Sequence, residues 1–207
     1  MMQIISKKFE TPKIESADNE KFTVHRLRVE DYEKMIEYGI FDEDDKIELW
    51  EGVLVEMSPK NVNHSTAMTL ATDYFYENLR KRGVIRVQDP IRLDDYSEPE
   101  PDLVLVNLPV SNYALGHPTP ADVLLILEIA DSTVKRDREK AKNYARNGIV
   151  QYLILNLNTR EIEDYREPGT DGYRQKRTYK QDEKFSLVVF PEIEIAVAEL
   201  LPPEKAN

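Results

Sequence analysis

The sequence predicts a mixed α/β domain built in the order hairpin, helix, three strands, helix and further strands. Three observations carry that reading. The apolar runs at 103–106 and 123–127 are nearly continuous, as expected of strands buried on both faces. Two stretches with helical spacing, at 64–79 and 136–147, stand on either side of those runs. Beyond residue 150 the apolar residues fall into short segments separated by polar turns, which suits antiparallel strands.

The elements follow in order. Tyr32, Met35 and Ile36 lie at helical spacing and predict a short helix over 29–37, ended by the acidic turn Asp42-Glu43-Asp44-Asp45. Residues 47–50 and 53–57 alternate around Glu51-Gly52, a two-residue connection with glycine where positive φ is cheap, and predict a hairpin. Met57-Ser58-Pro59 stops the strand. Asn63 or Ser65 can cap a long helix whose His64, Met68, Ala71, Phe75 and Leu79 share one face, with Gly83 at its end. Strands are expected at 84–88, 102–106 and 123–129. Ser132 or Thr133 can cap a second helix over 136–147, followed by Gly148. A buried strand at 151–156 and an antiparallel extension at 161–165, 173–179 and 185–190 complete the domain, expected over 22–201 with an arm at 1–21 and a tail at 202–207.

Composition narrows the chemistry. The chain has 207 residues with 41% apolar and 32% charged side chains, enough for one domain with its own core. It contains no cysteine, so disulfides, thiolate nucleophiles and Cys-ligated zinc or iron-sulfur clusters are excluded. Residues 1–10 lack the apolar stretch of a signal peptide, and the longest apolar run is far too short to span a bilayer. A cytoplasmic protein with no membrane partner is expected. The net charge of −11 argues against non-specific coating of nucleic acid. That charge is uneven, however, since residues 131–207 carry 14 basic and 14 acidic side chains, with Lys135, Arg136, Arg138, Lys140, Lys142 and Arg146 crowded into one helix.

No Gly-rich phosphate loop and no Gly-x-Ser-x-Gly elbow is present, and His25, His64 and His117 are too dispersed for a zinc helix motif. Carboxylate chemistry remains. Asp102 opens one buried apolar run and Glu128 closes the other, where an uncompensated charge costs free energy. Taken singly, each reads as a strand-end acid facing solvent or pairing with an arginine. As a pair on adjacent strands they can share a hard divalent cation, which takes oxygen ligands and keeps several waters. On the second helix Arg138, Lys142 and Arg146 form one stripe, a solvated or phosphate-contacting face, while Lys140 lies beside Ala141, Tyr144 and Ala145, where its stem can follow the apolar face and bring the ammonium to the sheet.

Several short segments, in order, resemble a known bacterial family: Ile47-Glu48-Leu49-Trp50-Glu51-Gly52, Met57-Ser58-Pro59 with His64, Gln88-Asp89-Pro90-Ile91-Arg92-Leu93-Asp94-Asp95-Tyr96, Pro99-Glu100-Pro101-Asp102, Leu127-Glu128-Ile129-Ala130, and Asp137-Arg138-Glu139-Lys140 leading to Tyr144-Ala145-Arg146-Asn147-Gly148. The family is the putative restriction endonuclease domain family of the PD-(D/E)XK nuclease superfamily, and the resemblance runs from about residue 22 to 201. It implies a restriction-endonuclease-like α/β core of helix, three strands, helix and strand, here with an N-terminal hairpin and C-terminal antiparallel strands. It also implies an endonuclease dependent on Mg2+, with Mn2+ as a substitute, in which Asp102 and Glu128 are the metal and catalytic acids. The superfamily's usual lysine, two positions after the acid, is replaced by Ala130, and the resemblance assigns that role to Lys140 of the following helix.

The function expected from these readings is hydrolysis of phosphodiester bonds in DNA, with Arg136, Arg138 and Lys142 guiding the backbone and Arg174, Lys176 and Arg177 as a second contact strip. Two-fold symmetry suits cleavage of both strands, so a homodimer is a natural assembly. His64 is read as a helix-end hydrogen-bonding residue, with orientation of a ligand or water as the other assignment. Glu48 and Glu51, alternating with Ile47 and Leu49, are expected on an outward strand face, with a further carboxylate for the site as the other assignment. The competing function is a nuclease fold retained as a binding or assembly module without catalysis, which would bind its partner without metal, and a third reading is an RNA-directed or structure-selective nuclease using the same acids.

Overall fold

A computed structural model describes residues 25–42 and 44–204 of the chain. The arm expected at 1–21, residue 43 of the acidic turn and the last three residues of the tail lie outside the described residues. The elements are α1 (Val29–Glu37), β1 (Ile47–Trp50), β2 (Val53–Glu56), α2 (Val62–Leu79), β3 (Val84–Val87), β4 (Leu103–Val106), β5 (Val123–Ala130), α3 (Val134–Arg146), β6 (Gln151–Asn156), β7 (Glu161–Gly169), β8 (Gly172–Lys180), β9 (Lys184–Ser186) and β10 (Glu194–Ala196). The expected core sequence of helix, three strands, helix and strand is therefore α2, β3, β4, β5, α3 and β6.

A six-stranded sheet runs in the order β3-β4-β5-β6-β7-β8. Its strands pair antiparallel except β5 with β6, which are parallel because α3 forms the crossover between them. Every residue of β4 and β6 is buried, which explains why their sequences lack alternation. Side chains still leave the sheet on alternate faces. Leu103, Leu105, Leu125, Leu127 and Ile129 point toward Ala67, Ala71, Phe75 and Leu79 of α2. Val104, Ile126, Ala130, Tyr152 and Ile154 point toward Ala141 and Tyr144 of α3. Glu128 lies in β5 between Ile126 and Ala130, and so shares the α3 face.

The hairpin β1–β2 forms where the sequence predicts it. Glu51 and Gly52 both have positive φ, +48° and +77°, which is the backbone of a type I′ turn and matches the twist of the flanking strands. Leu49 packs with Val29 and Tyr32 of α1 in a third, smaller cluster. Gly148 at φ +81° closes α3, with the Ile149 amide donating back to the Tyr144 carbonyl.

Three local expectations are corrected. The cap of α2 is Asn61, two residues before Asn63 and four before Ser65: its backbone is extended and its side-chain oxygen accepts the His64 amide at 3.0 Å. Thr133 precedes α3 but makes no backbone cap, because its hydroxyl donates to the Asp137 carboxylate at 2.6 Å. The segment 185–190 does not extend the main sheet. Only Lys184–Ser186 is a strand, and it pairs with Glu194–Ala196 in a separate ribbon whose Phe185 and Ile195 cover the α2 side of the core.

Candidate active site

The register Leu103↔Leu127 and Val104↔Ile126, continued by one step, sets Asp102 opposite Glu128. Both are nearly buried, at 9% and 5% exposure. The Asp102 amide donates to Glu128 Oε2 at 3.1 Å and the Ile129 amide donates to Asp102 Oδ2 at 2.8 Å, so each carboxylate is tied to the other strand. Gln88 Nε2 donates to Asp102 Oδ1 at 3.1 Å, and His64 Nε2 lies 3.1 Å from Asp102 Oδ2. The Asp102 carboxyl feels burial, which would raise its pKa, but the contacts from His64, Ile129 and Gln88 outweigh burial and hold it below the ordinary value.

Glu128 has the opposite balance. Burial pushes its carboxyl up to about 8, against the pull of Lys140 and with Asp102 and Asp137 adding repulsion. Lys140 comes from the sheet-facing side of α3, as the helical wheel predicts, and is 6% exposed. Its Nζ donates to Glu128 Oε1 at 3.1 Å, and the Tyr144 hydroxyl reaches the same oxygen at 3.4 Å. Burial works against the Lys140 ammonium, but the facing carboxylates of Glu128 and Glu48 outweigh it and hold the amine protonated.

Asp102, Glu128 and Lys140, chosen from the sequence, thus meet in one place. Glu48 joins them, contrary to the expected outward face. It is fully buried, with Oε1 3.3 Å from Lys140 Nζ, and it also accepts from the Arg136 guanidinium and from the Glu100 amide at 3.2 Å. Alternation along β1 misleads because both faces of that strand are covered, the Leu49 face by α1 and the Glu48 face by α3. The available signal is the surplus of cations on α3, which calls for buried anions. Glu51 does lie outside, paired with Arg146 at 3.0 Å. His64 also departs from the helix-end role: Asn61 caps its backbone, while its ring turns to Asp102 and leaves Nδ1 buried with no partner among the described residues.

The expected phosphate-guiding cations are placed differently from one another. Arg136 turns inward to Glu48 and the Glu56 carbonyl, and Arg138 pairs with Glu163. Lys176 is drawn to the same Glu163 at 2.8 Å. Lys142, Arg174 and Arg177 are exposed.

These groups line a small cleft of about 80 Å³ between the 57–61 loop, the end of β5 and the start of α3, which also includes Asp131 and Asp137. Beside it, sharing Met57, Lys60 and Glu100, lies a wider groove of about 670 Å³ bounded by Lys46, Glu56 and Gln88. Among the described residues no three His, Asp or Glu side chains converge as a ready-made metal cage. The two facing carboxylates of Asp102 and Glu128 are the groups that could hold a hard divalent cation, which takes oxygen ligands and can keep waters in the remaining positions.

A family model described as Uma2, putative restriction endonuclease, matches residues 29–198. A solved structure described as a putative nuclease belonging to DUF820 from Anabaena variabilis ATCC 29413 superposes with a TM-score of 0.66 at 12% identity, covering 84% of this chain and 97% of that one. At that identity the likeness concerns the fold. No curated protein matches the chain.

Proposed function

The chain belongs to the Uma2 family of putative restriction endonucleases, and from that membership we propose that it is a Mg2+-dependent endonuclease of the cytoplasm hydrolysing phosphodiester bonds in DNA. The observation that carries the reading is the meeting of Asp102 and Glu128 across β4 and β5 with the Lys140 ammonium 3.1 Å from Glu128. Asp102 and Glu128, with the Ile129 carbonyl, would hold the cation, for which Mn2+ would be a substitute. When bound, the ion supplies a water of lowered pKa and neutralises charge on the phosphate.

The remaining work falls to the chain itself. His64, Gln88 and the Ile129 amide fix the Asp102 carboxylate from three directions, so little reorganisation is needed when ligand enters. Lys140 stays protonated and acts as a donor to the phosphoryl oxygens, where negative charge accumulates as water oxygen bonds to phosphorus and the sugar oxygen leaves. The 670 Å³ groove is the approach to the cleft, and because its walls carry Asp44, Asp45, Glu56 and Glu100 beside Lys46 and Lys60, a phosphodiester backbone entering it depends on those two lysines and on the bound cation for attraction.

The test is cleavage of plasmid DNA with Mg2+ by wild type, Asp102→Ala and Glu128→Ala, with a chelator control. Activity in the wild type alone supports the assignment. Equal rates in all three proteins remove it. Metal-independent binding of a partner without cleavage of DNA identifies the binding-module alternative, which Ala130 at the usual lysine position and the acidic surplus of the chain favour.

A further inference from the structure

Lys140 has more than one anion. Its Nζ is 3.1 Å from Glu128 and 3.3 Å from Glu48, and it lies over the Trp50 ring at 5.5 Å from the centroid. Glu48 and Trp50 are two residues apart on β1, so their side chains leave the strand on the same side and meet the lysine together. Glu48 is itself immobilised, with no exposed surface and further bonds from the Glu100 amide and Arg136. Two cationic side chains, Arg136 and Lys140, already offset its charge, whereas Glu128 faces one and Asp102 only a histidine, so Glu48 is the least suited of the three to attract a metal.

We propose that Glu48 is a positioning residue that acts through Lys140: it draws the ammonium off Glu128 and holds it beside the cleft when the acid pair takes up a cation. The inference rests on the reading of Asp102 and Glu128 as the cation-binding pair. With Glu128 as its sole anion, Lys140 would stay locked on that carboxylate and compete with the cation for it. A second buried carboxylate on the opposite side of the ammonium shares that attraction, so that Glu128 can turn to the ion while the lysine keeps its charge and its place. The hairpin β1–β2, which contributes nothing to the six-stranded sheet, thereby gains a role in the chemistry, with Trp50 as the apolar wall that limits where the lysine can go.

The test is a double-mutant cycle on the full chain with wild type, Glu48→Gln, Lys140→Met and the double variant, read both by Mn2+ titration and by single-turnover cleavage of plasmid DNA. Glu48→Gln is expected to weaken Mn2+ binding and to slow the single-turnover rate, each by about 10- to 100-fold, with DNA affinity unchanged. Both losses are expected to vanish in the Lys140→Met background. Equal losses in the two backgrounds, or none in either, overturn the proposal. The Mn2+ arm needs no turnover: a wild type that binds Mn2+ but cuts nothing defeats the nuclease reading, while the cycle in Mn2+ affinity still decides the role of Glu48. Should Glu48→Gln not fold, Glu48→Asp takes its place by the same criteria, since it keeps the charge and withdraws it by one methylene.

Discussion

Asp102 and Glu128 are braced against each other through their backbones: the Asp102 amide bonds the Glu128 carboxylate at 3.1 Å and the Ile129 amide bonds the Asp102 carboxylate at 2.8 Å. This arrangement fixes the carboxylates before any ligand arrives. Asp102→Ala removes the acceptor for a buried amide and is expected to lower unfolding free energy by about 1–3 kcal/mol. Asp102→Asn keeps an acceptor there, so its urea midpoint is expected to stay near wild type while Mn2+ affinity falls. A matching loss of stability in both variants would contradict the brace.

Glu98 lies 2% exposed, with one carboxylate oxygen lacking a partner among the described residues. Burial, aided by Glu33, pushes its pKa up to about 7 from an ordinary value of 4.5. Because the folded value is raised, the fold favours the protonated acid, and this stabilisation is present below pH 4.5 and lost as pH rises through about 7. Glu98→Gln is expected to remove that loss, gaining about 1–2 kcal/mol over wild type at pH 8 and little at pH 4. Melting curves across that range check it, and parallel pH profiles would contradict it.

Glu163 titrates in the other direction. Burial would raise its carboxyl, but Arg138, Lys176 and Tyr165 outweigh burial and bring it down to about 2. Its contribution is therefore present above pH 4.5 and lost as pH falls toward about 2. Glu163→Gln is expected to flatten the acid limb of the stability curve. Arg138→Ala, whose side chain is half exposed, is expected to cost only about 1 kcal/mol because Lys176 and Tyr165 remain on Glu163. DNA affinity measured against Arg174→Ala separates the arginine paired with Glu163 from one that has no ion pair among the described residues: only Arg174→Ala is expected to weaken binding and reduce its salt dependence.

Ala130 occupies the position where the superfamily places a lysine, and it is fully buried among Ile126, Tyr144 and Ile154. Ala130→Lys is expected to overpack that site and lower stability by about 1–3 kcal/mol. It is also expected not to restore cleavage to Lys140→Met. Recovery of activity in that double variant would show that the α3 face tolerates the amine in either place.

The core was legible because burial on both faces writes itself as unbroken apolar runs, as at 103–106 and 123–127, and because Lys140 stands on the apolar side of an otherwise polar helix. For Glu48 the pattern was ambiguous and its alternation favoured the outward face. A strand's alternation separates two faces but does not say which is covered, and β1 is covered on both. The partners of Arg138 and Arg136 were hidden for a related reason: a charge run on a helix looks solvated until the acids that approach it from β7 and β1 are located. At 185–190 the apolar residues do serve the core, but they reach it from a small ribbon over α2, an arrangement that side-chain pattern alone cannot distinguish from another strand of the sheet.

Among the described residues the sheet ends at β8, whose Gly172–Lys180 segment carries Arg174, Lys176, Arg177 and Lys180 and no acid. An open strand edge is a template on which a second molecule can continue the sheet, and repeated addition leads to fibres. Laying β8 against its own copy would bring together two rows of cations in a protein whose surplus is otherwise negative. The edge is thus guarded by its own charge against growth from molecule to molecule, a safeguard that operates whether or not the cleft at the far end of α3 ever cuts a substrate.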